Sequence, residues 1–100
     1  MIIAKAWTNG STGYGIKIST NDRDKFFNRS WGTVQLFLPS GAVATANVDK
    51  KSFWNGTCRE LISAEIGRWF IGAGLFPWPP GSPPTIRLTP RAIGTFEVSG

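Results

Sequence analysis

Apolar and polar residues alternate with a period of two along much of this chain, in stretches short enough to be strands. Ile2 to Trp7 reads as a first strand, ended by the turn cluster Asn9-Gly10-Ser11-Thr12-Gly13. In Tyr14-Gly15-Ile16-Lys17-Ile18, Ile16 and Ile18 fall on one face and Lys17 on the other, so Lys17 is expected to point outward. Trp31 to Leu38 alternates most clearly, with Val34, Leu36 and Leu38 against Thr33, Gln35 and Phe37, and Pro39-Ser40-Gly41 supplies its stop. Ala42 to Val48 then returns beside it as a hairpin, and Ala42, Ala44 and Ala46 on one face leave room for a close approach by another element. Two further alternating segments, Thr85 to Thr89 and Gly94 to Val98, place Ile86, Leu88, Phe96 and Val98 inward and Arg87 outward.

Two segments break this period. From Asn21 to Phe27 a capping residue precedes early acids and late aromatics, which predicts a short helix over about residues 21–27, docked by Phe26 and Phe27. Thr57-Cys58-Arg59-Glu60 has the form of a capping box, in which Thr57 accepts from the Glu60 amide and the Glu60 carboxylate reaches back. Cys58, Leu61, Ile62, Glu65, Ile66, Trp69 and Phe70 follow at three- and four-residue steps, with Arg59, Ser63, Ala64, Gly67 and Arg68 away from that stripe. This predicts a longer helix over about residues 58–71, ended by Gly72 and Gly74. Pro77 to Pro84 can sustain neither helix nor central strand and must cross the surface, with Phe76 and Trp78 covering the core as a lid.

Short strands joined by brief turns, with only two helices, fit an open barrel-like antiparallel or mixed sheet better than a doubly wound one. The expected fold class is α+β, rich in β, in a single domain over residues 1–100. Composition then narrows the chemistry. The chain has five Trp, seven Phe and a net charge of +5, but no His and one Cys. The commonest general acid/base and metal ligand is therefore missing, and binding is expected rather than catalysis, with no cofactor. Cys58 can form no internal disulfide and has no His to serve as its base; lying on the apolar stripe, it is expected to be an inert core thiol. Asp22 and Asp24 do not face each other as a metal pair would, and complement the helix dipole instead. Gly10, Gly13 and Gly15 lack the Lys-Ser/Thr of a phosphate loop and read as turn glycines. The lone Cys58 and a Lys5 that interrupts the first apolar stretch too early for a secretory signal point to a reducing cytoplasm, and since no apolar run approaches the roughly 18 residues of a membrane span the protein is expected to be soluble.

The charge itself favours polyanionic partners. Lys17 and Arg87 are expected on outward strand faces, Arg23, Lys25 and Arg29 around the short helix, Lys50 and Lys51 after a strand, and Arg91 in the last turn. If these eight converge on one face they form a phosphate-tracking surface; scattered, they are only solvated charges. The expected partner is accordingly duplex nucleic acid, the alternative being a protein bound by exposed aromatics.

Gly13-Tyr14-Gly15-Ile16-Lys17-Ile18, followed by the Asp22 to Phe27 turn, resembles the DNA-binding pseudobarrel domains of restriction-enzyme effector modules and plant transcription factors. The resemblance covers the first half of the chain and lies in element order and a strand-and-aromatic motif. It implies an open barrel with two short helices that presents basic and polar loops to the major groove of DNA, and it transfers no contact residue onto a matching position. Ser52-Phe53-Trp54, Cys58-Arg59-Glu60-Leu61 and Pro77-Trp78-Pro79 also resemble strings in small bacterial proteins of unassigned role, which implies no activity.

Overall fold

The structure, a computed structural model, describes residues 1–10, 12–56 and 59–100. Its chain order is β1 (Ile2–Thr8), β2 (Tyr14–Lys17), α1 (Thr20–Phe26), β3 (Thr33–Phe37), β4 (Val43–Asn47), α2 (Lys51–Trp54), β5 (Glu60–Ile62), α3 (Ala64–Gly72), β6 (Thr85–Ala92) and β7 (Thr95–Ser99). One seven-stranded sheet runs β4-β3-β7-β6-β1-β2-β5 and curls until its outer strands, β4 and β5, lie close together, so the sheet is nearly closed into a barrel. β3 and β7 pair in parallel and the other neighbours antiparallel, which makes the sheet mixed. The fold is α+β and β-rich.

The period-two pattern is realised as an inside and an outside. Ile2, Ala4, Ile16, Val34, Leu36, Ala44, Ala46, Leu61, Ile86, Leu88, Phe96 and Val98 face inward and are buried. The partners that alternate with them, including Lys5, Lys17, Thr45, Arg87 and Glu97, are exposed. β6 and β7 join the two halves: β6 pairs with β1, Ile2 beside Leu88, and β7 pairs with β3, Leu36 beside Phe96.

The ends of the barrel are closed by aromatic side chains. At one end α3 packs against β2 and β4, over the small Ala44 and Ala46, and Phe70 lies edge-on to Tyr14 and Trp78 at centroid separations of 6.5 and 5.8 Å. Phe76 completes this group, 5.2 Å from Tyr14 and 5.4 Å from Trp78, so the proline-rich segment covers the core; its Phe76–Pro77 bond is cis. At the other end Phe27, just past α1, stacks on Phe96 at 5.0 Å and meets Phe53 of α2 at 5.6 Å and Trp31 at 6.0 Å. Ring contacts of this kind each add about 0.5–1.5 kcal/mol beyond the area buried.

The helices differ in part from expectation. α1 starts one residue earlier than predicted, because Ser19 is its N-cap and accepts from the Asp22 amide at 3.1 Å. The longer helix begins at Ala64 rather than near residue 58. Glu60–Ile62 is instead a strand, pairing with Gly15–Lys17 and burying Leu61, and Ser63 caps α3 by accepting from the Glu65 amide. An apolar Leu-Ile pair satisfies both a helical stripe and a short strand, and the free edge of β2 selects the strand. Thr57 and Cys58, and with them the capping box and the core thiol, lie outside the described residues. The four-residue α2 falls in a stretch for which no helix was predicted.

Gly67, expected on the outer side of its helix, is buried against Tyr14: a Cβ there would come within 2.5 Å of the Tyr14 ring and 2.9 Å of its Cγ. Gly72, in the same helix, has no such neighbour. Two opposite outcomes are expected. Gly67→Ala forces the ring out of its contacts with Phe70 and Phe76 and should destabilise by about 1–3 kcal/mol despite its better helix propensity, whereas Gly72→Ala should stabilise by roughly 0.5 kcal/mol. Urea midpoints of both variants test this, and a Gly67→Ala protein more stable than its parent would rule out the helix-on-ring packing.

Candidate nucleic-acid interface

The chain leaves β4 at Asn47, whose side-chain oxygen accepts from the Asp49 amide at 2.8 Å and turns it into α2. Phe53, fully buried, fixes the phase of that single turn. The next residue, Trp54, is thereby placed at the rim, half-buried, with its indole N–H donating to the Val48 carbonyl at 2.9 Å. Two arginines reach this ring from the α1 side: the Arg29 guanidinium carbon lies 5.0 Å from the ring centroid and that of Arg23 5.5 Å. Arg29, Lys50 and Lys51 line, with Asp49, Trp54 and Asn55, a cleft of about 300 Å³. Four of the eight cations expected to bind nucleic acid are thus gathered around one tryptophan.

They are not equivalent. Arg23 is buried, donates from Nη1 to the Phe53 carbonyl at 3.0 Å and pairs with Asp24 at 2.9 Å. Its guanidinium ties α1 to α2 and is not free for a ligand. Arg29 and Lys51 are exposed and take part in no ion pair among the described residues. Lys25 is exposed near the end of α1, its ammonium 5.5 Å from the Phe26 ring centre.

Lys17 and Arg87 lie on the outer face of the sheet, as the alternation predicts, and both are exposed. Lys17 on β2 stands directly opposite Lys5 on β1, while Arg87 on β6 stands opposite Ile3 and Ser99. Arg91 is drawn into an ion pair with Glu97 across the β6–β7 hairpin. The structure therefore separates the eight into a cleft group, a strand-face pair, the exposed Lys25 beside α1, and the occupied Arg23 and Arg91.

Sequence reasoning missed three contributors. Lys5 alternates with Ala4 and Ala6 and so belongs on the outer face, a signal present in the sequence but used only to argue against a leader peptide. Arg59 is half-buried and donates to the carbonyls of Ile18 at 3.0 Å and Gly56 at 2.8 Å, a clamp between segments that no local pattern reveals. Trp54 gave no periodic signal because its helix is a single turn.

On α3, Arg68 pairs with Glu65, and as these are the only charged residues of that helix it carries no net charge. Among the described residues Phe37 is the only exposed aromatic, and with Val43 opposite it on β4 it is what remains for the protein-interaction alternative. No helix is long and apolar enough to cross a membrane. Compared with protein-family models, curated proteins and solved structures, the chain matches none.

The two arginines at Trp54 should respond differently to truncation. Arg23→Ala leaves the Phe53 carbonyl without its buried donor and should cost about 1–3 kcal/mol, while Arg29→Ala loses an exposed cation–π contact and should cost less than about 1 kcal/mol. Guanidinium denaturation of both variants checks the distinction; equal losses would contradict the assignment of Arg23 to the interior.

Proposed function

We propose that this protein is a nucleic-acid-binding domain rather than an enzyme, and that it contacts the phosphate backbone of duplex DNA through the barrel end that carries α1 and α2. One observation carries the reading: Arg29, Lys50 and Lys51 converge on a cleft beside Trp54. Clustered positive charge of this kind steers a polyanion towards the cleft before any contact forms. Arg29, stacked against an indole, is partly immobilised and loses less conformational entropy on gripping a phosphate than a free side chain would. Lys25 lies along the same side, and Lys17 and Arg87 extend the positive surface onto the strand face.

A nearly closed seven-stranded barrel with two helices of seven or nine residues is also in keeping with the pseudobarrel resemblance, in which loops and helices at the rim face DNA. Sequence-independent contact to phosphates is the mode that Arg29, Lys50 and Lys51 support, since long cationic side chains neutralise phosphates whatever the bases between them.

Fluorescence anisotropy with a random-sequence duplex should detect binding at low salt that weakens as salt rises. Replacing Arg29, Lys50 and Lys51 together by Gln should lower the affinity and reduce the slope of log K against log salt by about one unit for each phosphate contact removed. Reversing the Glu65–Arg68 pair on α3 should change neither. Absence of duplex binding at low salt, or a slope unmoved by the triple substitution, would reject the proposal.

A further inference from the structure

Trp7 has no place in the architecture described so far. Of the five tryptophans, Trp69 lies in the core and Trp31, Trp54 and Trp78 pack against it; among the described residues Trp7 alone does neither. It stands half-buried on the outer face of β1, opposite Gly15 on β2, which puts no side chain beside it. Two residues back on the same face is Lys5, and directly opposite Lys5 is Lys17. Like charges facing each other across an antiparallel pair destabilise the sheet. None of the ion pairs among the described residues uses either lysine, and Glu60, opposite Lys17 on β5, is itself buried and has interactions of its own. The fold thus maintains a repulsive pair next to a large aromatic ring that does nothing for the core.

These residues share a concavity. A shallow groove of about 570 Å³ runs along β1, lined by Trp7, Lys5 and Lys17, with Arg59 among its basic residues and Trp78 and Pro83 of the proline-rich segment also facing it. A ligand that carries a negative charge and a flat π system, two residues' reach apart, would meet both demands of the site: the anion relieves the Lys5–Lys17 repulsion, and the ring covers Trp7. We propose that this groove binds a nucleotide unit, the phosphate between Lys5 and Lys17 and the base stacked on Trp7. The source of that unit is either a free mononucleotide or an unpaired strand. The inference goes beyond the duplex surface, since Arg29, Lys50 and Lys51 line a different cleft.

Titrations with thymidine monophosphate, inorganic phosphate and a labelled oligothymidylate test it, followed by tryptophan fluorescence and by anisotropy. The nucleotide and the oligomer should quench tryptophan emission, and phosphate alone should bind more weakly than the nucleotide. Trp7→Ala should abolish the quenching and weaken oligomer binding roughly tenfold, the cost of losing one stacked base. Lys5→Gln should also weaken binding, and because it removes the repulsion it should raise the melting temperature of the unliganded protein by roughly 1–6 °C. That gain keeps the test informative if Trp7→Ala fails to fold. An oligomer that binds more tightly than the mononucleotide, with a salt dependence, assigns the groove to an unpaired strand; equal affinity assigns it to the free nucleotide. The proposal is overturned if neither probe binds, if phosphate binds as well as the nucleotide, or if Lys5→Gln leaves affinity and melting temperature unchanged. The Arg29, Lys50 and Lys51 triple substitution should leave the thymidine monophosphate titration and the Trp7-dependent quenching as they are, so failure here and failure of the duplex reading give different results.

Discussion

A sheet rolled into a barrel solves its lateral edges but leaves two open ends, and everything else in this protein follows from how those ends are filled. The inward strand positions are mostly small or branched: Ala4, Ala6, Ala44, Ala46, Val34 and Val98 among them. Such side chains pack a narrow interior but cannot reach across its mouths. Each mouth is instead closed by a group of rings centred on one phenylalanine, Phe27 at one end and Phe70 at the other. The helices exist to deliver those rings. That accounts for their shortness and for an aromatic content that would otherwise suggest a sticky surface.

Closing the two ends with different elements also gives them different surfaces. α3 presents one acid and one base that satisfy each other. α1 and α2 meet through Arg23, whose burial requires Asp24 and the Phe53 carbonyl as partners, and the remaining cations of those segments are left on the rim. The same packing that seals the barrel therefore sorts the charge, and Trp54 is where the two effects meet: its indole N–H holds the turn while its face receives two guanidinium groups.

Six of the seven strands, the hairpin turns and both main helices can be read from the sequence because each rests on a local period or cap. β3 and β4 are clear from alternation alone, and Ser19 and Ser63 are ordinary capping residues once the helix starts are known. What escaped is what depends on distant partners. Glu60–Ile62 is a strand only because β2 offers it an edge, and Gly67 is buried only because Tyr14, more than fifty positions earlier, comes to lie beneath it. The site follows the same rule. Outward Lys17 and Arg87 are matters of parity, but the burial of Arg23, the pairing of Arg91 with Glu97 and the opposition of Lys5 to Lys17 are products of register between strands and helices that no local window contains.

The pairing order of the sheet has a kinetic meaning. β1–β2 and β3–β4 are local hairpins, but nothing joins one to the other until β6 and β7 arrive, β6 against β1 and β7 in parallel against β3. Ile2 must wait for Leu88, and Leu36 for Phe96. Until β6 and β7 are in place the chain therefore carries two unsealed half-sheets, with inward faces and strand edges uncovered. Contacts of such long separation pay their loop-closure entropy before they return any burial. Folding should accordingly be slow for a fold of this size. The interval before closure is when the molecule is most open to aggregation, and the final hairpin acts as the latch that ends it.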